Sequence, residues 1–157
     1  AQLDRFMLQI EVNYPSIVEE MEIIQRTTVG DLPPISPILN ISQVIALQDV
    51  VPKVPAAEHV IEYAVRIVRK TRTTDASSPQ DIKPYIAWGA GPRAAQMLIL
   101  AAKARALLRG RYAVQSEDVA ALASATLRHR LVLSFEAEAQ GIKPDAIIRR
   151  IIETSPP

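Results

Sequence analysis

Apolar residues alternate with polar ones near the start of the chain and then change to a helical spacing. Between Phe6 and Val12 every second residue is apolar, which is the period of a β-strand. From Pro15 onward apolar residues recur at helical spacing, which predicts a helix over about 15–27. Because no partner strand is evident nearby and a single strand is not stable in water, we expect an orphan strand whose sheet belongs to a longer protein.

Five further helices are predicted from the same spacing and from signals at their ends. They cover about 43–50 with Ser42 as cap, about 56–71, Pro92 to the residues before Gly110, Ser116 through Leu127, and a last helix opened by Pro144. Residues 29–40 and 71–84 are rich in proline or polar residues and are expected to be connectors. The predicted fold class is mainly all-α, with a strand-bearing remnant over residues 1–13 and a helical domain over residues 14–157. The apolar stripes predict a core centred on Ile67, Val68, Met97, Leu98, Ala101, Leu122 and Ile148.

Charge and composition exclude several kinds of function. The 18 basic and 17 acidic side chains give a net charge of +1, so the whole molecule has no general attraction to nucleic acid or to an anionic membrane. The absence of cysteine excludes disulfides and thiolate metal sites, and two histidines far apart in the sequence argue against a metal site. No apolar run approaches the roughly 20 residues that cross a bilayer, so we expect a soluble, cytoplasmic protein without membrane insertion.

The sequence also lacks the motifs by which an enzyme grips and hydrolyses a nucleotide. None of its five glycines is followed by lysine, so there is no Gly-x-x-x-x-Gly-Lys-Ser/Thr loop to cradle phosphates. No apolar strand ends in an Asp-Glu pair that could hold Mg²⁺. His59 and His129 have no candidate nucleophile beside them, and we interpret both as structural. Arg128 and Arg130 flank His129, which favours its neutral form.

Two short motifs carry a resemblance to a known family. Ala1-Gln2-Leu3-Asp4-Arg5-Phe6 and Gly89-Ala90-Gly91-Pro92-Arg93-Ala94 together resemble motifs of the MoxR-type AAA+ ATPases. The resemblance implies that Arg5 is an arginine finger, which reaches the γ-phosphate bound by the neighbouring subunit. It implies that Arg93 is the sensor 2 arginine, which contacts nucleotide phosphate within its own subunit, with Gly91 and Pro92 opening its helix.

The resemblance extends through Arg111 to Val119, Leu127 to Leu131 and Gly141 to Ile152. It implies a helical lid domain preceded by the end of the nucleotide-binding core. It also implies that the intact protein uses ATP and Mg²⁺, forms a homo-oligomer such as a hexameric ring, and has a chaperone-like role alongside proteins with a von Willebrand A domain. Family members usually carry serine at the position of Gly91 and a hydroxyl residue at the position of Lys143, so two helix caps differ here. This chain alone is expected to bind no cofactor and to be inactive.

The chemistry of the two arginines by itself leaves alternatives open. Arg93 would lie in the first turn of a helix, where the dipole disfavours a cation by roughly 0.3–1 kcal/mol and a phosphate would reverse the sign. The alternative is a surface arginine paired with a nearby carboxylate. For Arg5 the alternative is an ion pair with Asp4 or Glu11.

Two other functions compete with that of an ATPase lid. One is a small helical binding module, for example for nucleic acid, built on Lys103, Arg105, Arg109, Arg111, Arg128 and Arg130. These positions do not form one helical stripe, and aromatic residues make up only 4% of the chain, so stacking platforms are scarce and nucleic acid is disfavoured. The other is a purely structural adaptor, on which nucleotide would have no effect.

Overall fold

A computed structural model describes residues 2–28, 30 and 34–157 of the chain. The helices of this part are α1 (Ile17–Thr28), α2 (Ile41–Val50), α3 (Glu58–Lys70), α4 (Pro92–Leu108), α5 (Ser116–Leu127), α6 (Phe135–Ala139) and α7 (Pro144–Glu153). Short 3₁₀ turns cover Leu3–Arg5, Val51–Lys53, Lys83–Tyr85 and Arg128–Arg130. The mainly α-helical class predicted from the periodicity is confirmed.

The strands of the structure do not include residues 6–12, the segment in which apolar and polar residues alternate. β1 (Ile86–Trp88) and β2 (Val132–Leu133) form a two-stranded antiparallel sheet in which Ile86 faces Leu133. Residues 7–15 have no regular secondary structure. The segment 6–12 has no strand partner among the described residues, and Gln9 instead donates its N–H to the Ala125 carbonyl over 2.8 Å. The expected strand is therefore not formed, because a strand needs a neighbouring backbone to complete its hydrogen bonds.

The helices differ from the sequence prediction in one cap and in one additional helix. α2 is capped by Asn40 rather than Ser42, because Asn40 Oδ1 accepts from the Gln43 N–H and Gln43 Oε1 accepts from the Asn40 N–H, each over 2.9 Å. This reciprocal capping box satisfies two donors at once. α6 was not predicted; Ser134 caps it by accepting from the Ala137 N–H over 3.2 Å.

The core lies among α3, α4, α5 and α7. Of the residues predicted to form it, Ile67, Val68, Leu98, Ala101 and Ile148 are buried, whereas Met97 and Leu122 are half-buried. α1 and α2 contain no buried residue. No helix of the described part is long and apolar enough to cross a membrane.

Candidate functional site

The candidate site is built around the start of α4. Gly91 is the N-cap, with extended backbone at φ −78°, and Pro92 is the first helical residue. Arg93 follows in the first turn, which carries no acidic residue, and all three residues are exposed. The observed start of α4 agrees with the predicted one. The Arg93 guanidinium therefore lies at the N-terminal end of a helix, where the partial positive charge of the helix favours an anion.

The loop before α4 is attached to the end of α3. Thr71 Oγ1 accepts from the Ala90 N–H over 2.9 Å, and Arg72 Nε donates to the Ala90 carbonyl over 3.0 Å. A Cβ on Gly89 would lie only 2.3 Å from the Thr71 carbonyl oxygen, so any side chain at Gly89 would force the backbones apart. These contacts fix where α4 begins and therefore where Arg93 stands.

Arg93 is paired with a carboxylate from the start of the chain. Its Nη1 lies 3.2 Å from Asp4 Oδ2, and the two side chains are 48% and 35% exposed. Asp4 Oδ1 also accepts from Arg130 Nε over 3.0 Å. The surface pair proposed as the alternative for Arg93 is therefore present, and its partner belongs to the other recognised motif. One carboxylate joins the two motifs.

Arg5 is exposed at the end of the Leu3–Arg5 turn. The two carboxylates considered as its partners are paired with other residues: Asp4 with Arg93 and Arg130, and Glu11 with Arg128 over 3.6 Å. Within the described part of the chain Arg5 has no salt-bridge partner. The ion-pair alternative for Arg5 is therefore not observed.

The sequence places Arg130 beside His129 and in a possible basic surface, but its burial was not predicted. Its side chain is 1% exposed, although the chemistry of arginine favours the surface. The motif Leu127 to Leu131 was recognised, but the sequence carries no signal for which of its basic residues is buried. Arg130 lies under the segment that carries Asp4 and Arg5, and its guanidinium bonds Asp4 and Phe6.

His129 is half-buried beside Arg130, and its Nε2 lies 3.0 Å from the Phe6 carbonyl oxygen. Burial is the main cause that lowers the pKa of His129, and the hydrogen bond to Phe6 opposes it. The neighbouring arginines lower it further. The lowered pKa agrees with the predicted preference for the neutral form, and burial contributes more to it than the flanking charges.

Five of the six basic residues of the competing binding module, all except the exposed Arg109, are bonded within the fold. Arg105 and Arg111 both bind the fully buried carboxylate of Asp118, Arg128 binds Asp145 over 2.9 Å, and Lys103 Nζ donates to the Pro52 carbonyl over 2.8 Å. Because these cations already have partners, they do not form a free basic surface for a nucleic-acid backbone.

An open groove lies beside the start of α4. It has a volume of about 550 Å³ and runs between α3 and α4. Its lining is mainly apolar and includes Ile61, Val65, Pro92, Ala95 and Ile99, with Arg72 at the side of the attached loop. The described residues contain no group of three or more His, Asp or Glu side chains placed to hold a metal ion.

Comparison with known proteins shows which protein family this chain resembles. Residues 78–151, which include α4 and the attached loop, match the family described as the AAA lid domain. The chain is 40% identical over 155 residues to the chaperone MoxR1 of Mycobacterium tuberculosis, which covers 98% of this chain and 41% of the relative. It is 36% identical to the uncharacterised protein YeaC of Bacillus subtilis, with 97% and 45% covered.

A solved structure agrees with these relatives. The crystal structure of a "putative ATPase" from Cytophaga hutchinsonii matches with a TM-score of 0.89 at 32% identity, covering 98% of this chain and 47% of that one. Residues 78–151 match the AAA lid domain, and the similarity over nearly the whole chain supports a C-terminal part of a MoxR-type AAA+ ATPase. The chain spans less than half the length of these relatives. The boundary at residues 13 and 14 and the roles of Arg5, Gly91, Pro92 and Arg93 stay predictions.

Proposed function

We propose that this chain is the part of an AAA+ ATPase that senses nucleotide through Arg93 in its own subunit and supplies Arg5 to the nucleotide of a neighbouring subunit. The observation that carries the proposal is the Asp4–Arg93 pair at the start of α4. A half-exposed guanidinium there already holds an anion, at 3.2 Å, and solvent can reach it.

The residues present fit a phosphate group. Arg93 offers a planar fork of donors, and the first turn of α4 adds backbone N–H groups and no competing acid. A single exposed ion pair contributes little to stability, about 0–1 kcal/mol. Arg93 can therefore exchange Asp4 for a phosphate oxygen at small cost, while Asp4 keeps Arg130 as its partner. ATP and Mg²⁺ would be gripped by the phosphate loop and acidic residues that this sequence lacks.

Arg5 is suited to a partner outside its own subunit. It is exposed, and the carboxylates near it are paired with other arginines. A finger arginine stabilises the charge that spreads over the transferred phosphoryl group and is worth roughly 10³–10⁵ in rate. The trans role requires a homo-oligomer, for which we propose the hexameric ring implied by the resemblance.

Similarity to a chaperone supports a finer proposal. The relative from Mycobacterium tuberculosis is named a chaperone, and we extend that to this chain as remodelling or assembly of partner proteins driven by ATP hydrolysis in the intact protein. Proteins with a von Willebrand A domain are the proposed partners. Co-purification of the intact protein with such a domain, stronger with ATP than with ADP, tests this extension; equal recovery with both nucleotides contradicts it.

Substitutions in the intact protein test the two arginines. Arg93→Ala should raise the Kd for ATP roughly 10–100-fold, because a charged hydrogen bond contributes about 1.5–3 kcal/mol. Arg5→Ala should leave Kd nearly unchanged and lower kcat by at least roughly 10³-fold. Arg109→Ala, at the opposite end of α4 and exposed, is the matched control and should change neither. If Arg93→Ala leaves Kd unchanged, its proposed role is wrong.

Mixed oligomers test the trans role directly. Subunits with Arg5→Ala and an intact phosphate loop should recover hydrolysis when combined with subunits that lack the loop lysine and keep Arg5. Each subunit supplies what the other lacks at a shared interface. If mixtures that co-assemble recover no activity, Arg5 does not act on a neighbouring site.

The present chain should bind ATP weakly and turn over none. Arg93 supplies one cationic contact, and the sequence has no phosphate loop. Calorimetric titration with ATP and Mg²⁺ measures this. Binding in the low-micromolar range would require a phosphate site other than the one around Arg93.

A further inference from the structure

Arg130 is the only arginine among the described residues that is buried, with its side chain 1% exposed. A buried cation is costly unless its donors are satisfied. Those donors are satisfied almost entirely by one segment. Nε and Nη2 donate to the Asp4 carboxylate and carbonyl, each over 3.0 Å, Nη2 donates to the Phe6 carbonyl over 2.7 Å, and Nη1 donates to the Met7 carbonyl over 3.3 Å.

The rest of the Arg130 contacts attach it to the lid. Nη1 also donates to the Thr126 carbonyl in the last turn of α5. Adjacent residues reinforce the attachment, since His129 Nε2 bonds the Phe6 carbonyl and the Gln9 N–H bonds the Ala125 carbonyl. The segment of residues 4–9 is therefore held on the end of α5, with Arg130 at the centre of the contact.

We propose that Arg130 is a positioning residue for the candidate finger Arg5. Arg130 bonds the residue before Arg5 and the residue after it, so it fixes the backbone turn from which the Arg5 side chain projects into solvent. The proposal rests on the proposed function of Arg5. It adds that the lid itself, through the end of α5, sets where the finger stands.

The shared carboxylate extends this coupling to the start of α4. Asp4 contacts Arg93 through one oxygen and Arg130 through the other. When Arg93 takes a phosphate in place of Asp4, Arg130 keeps the Asp4 turn on α5. The site within one subunit and the finger offered to the next subunit are thus joined by two arginines and one carboxylate.

Kinetics of the intact ATPase test the proposal. Arg130→Gln should lower kcat by roughly 10–100-fold, the cost of misplacing a reacting group by about 1 Å, and should leave KM for ATP within about twofold. The matched control is Arg150→Gln, because Arg150 also pairs with an aspartate, Asp81 at 2.6 Å, away from this segment. It should leave kcat unchanged.

A double variant separates positioning from general stability. Because Arg130 acts through Arg5, Arg130→Gln should cost nothing further in an Arg5→Ala background. If it lowers kcat by the same factor there, or if Arg130→Gln alone leaves kcat unchanged, the proposal is overturned. If Arg5→Ala itself hydrolyses ATP normally, the proposed function of Arg5 fails first, which is a distinguishable result.

Asp4→Asn keeps the test decisive if Arg130→Gln does not assemble. The asparagine removes the negative charge that Arg130 binds but leaves the buried Arg130 side chain in place. The oligomer should therefore still form. The variant should lower kcat by roughly 10-fold or more, as expected for a displaced reacting group, again with no further loss in the Arg5→Ala background. An Asp4→Asn protein with normal kcat overturns the proposal.

Discussion

Two parts of the molecule both contain helices rich in apolar residues but differ in burial. α1 and α2 bury no residue, and Leu47 on α2 is 56% exposed. α3 buries six of its residues, and Leu98 on α4 is 0% exposed. Helical periodicity therefore identifies an apolar face but not whether anything covers it. Burial against the other helices of the lid, rather than the pattern, makes α3, α4, α5 and α7 the stable unit.

The largest expected difference between the two parts comes from one substitution made in each. Leu98→Ala should lower the free energy of unfolding by about 2–5 kcal/mol, because it leaves a cavity in the core. Leu47→Ala should lower it by less than about 0.5 kcal/mol, because the side chain is already in water. Urea denaturation followed by circular dichroism measures both. Equal effects would contradict the comparison.

A buried carboxylate should make the lid sensitive to acid. Burial raises the pKa of the Asp118 carboxyl, but hydrogen bonds from Arg111, the Gln115 N–H and Arg105 outweigh burial and lower the pKa to about 2. A lowered pKa in the folded state stabilises the protein above the ordinary pKa, 3.8. This stabilisation, about 2 kcal/mol, is lost as the pH falls from about 4 towards 2.

Asp118→Asn tests that contribution. The variant should be less stable than the parent chain at pH 6, by roughly 1–3 kcal/mol for a lost charged hydrogen-bond network, and the gap should narrow as the pH falls towards 2. Urea denaturation at a series of pH values gives the gap directly. A gap that stays constant over this range would show that Asp118 does not titrate with folding.

Adding one methyl group at Gly89, where α3 meets the loop before α4, should lower the stability of the protein. Gly89→Ala should cost about 1–3 kcal/mol, because the new Cβ would overlap the Thr71 carbonyl. Gly91→Ala is the matched control, since nothing lies within 4 Å of its added Cβ. It should cost less than about 1 kcal/mol, through the poorer helix cap. Thermal unfolding of the two variants compares them, and equal losses would contradict the close contact.

The smallest effect is expected at a capping carboxylate outside the core. Hydrogen bonds from the Ser16 N–H and hydroxyl, each 2.7 Å long, lower the pKa of Glu19 at the start of α1. Their support for α1 is present above the ordinary pKa and is lost as the pH falls. Because α1 buries nothing, Glu19→Gln should leave global unfolding and its pH dependence unchanged. A loss as large as that of Asp118→Asn would show that α1 is part of the cooperative unit.

The long helices could be predicted from the sequence because each repeats its apolar spacing over several turns and carries end signals. The start of α4 at Pro92 and its end before Gly110, whose φ is +70°, are examples. α6 could not be predicted, because five residues are too few to establish a period. β1 pairs with β2 through residues that are far apart in the sequence, such as Ile86 and Leu133, and no local pattern carries that information.

The candidate site was predictable in its parts but not in its connections. Gly91, Pro92 and Arg93 stand where the motif places them, at the start of α4. The Asp4–Arg93 contact joins residues 89 positions apart, and the Asp4–Arg130 contact joins residues 126 positions apart. Whether an arginine is buried depends on what folds over it, which sequence spacing does not reveal.

The hydrogen bond between Ala90 and Thr71 gives the protein an internal reporter of opening where α3 meets the loop before α4. The Ala90 amide lies in a loop, where amide protons normally exchange with solvent quickly, yet it is bonded to a fully buried hydroxyl and its residue is 2% exposed. Deuterium can enter there only when α3 and the loop before α4 separate. The exchange rate at this one amide therefore reports how readily the junction behind Arg93 opens, and it can be compared with and without added ATP.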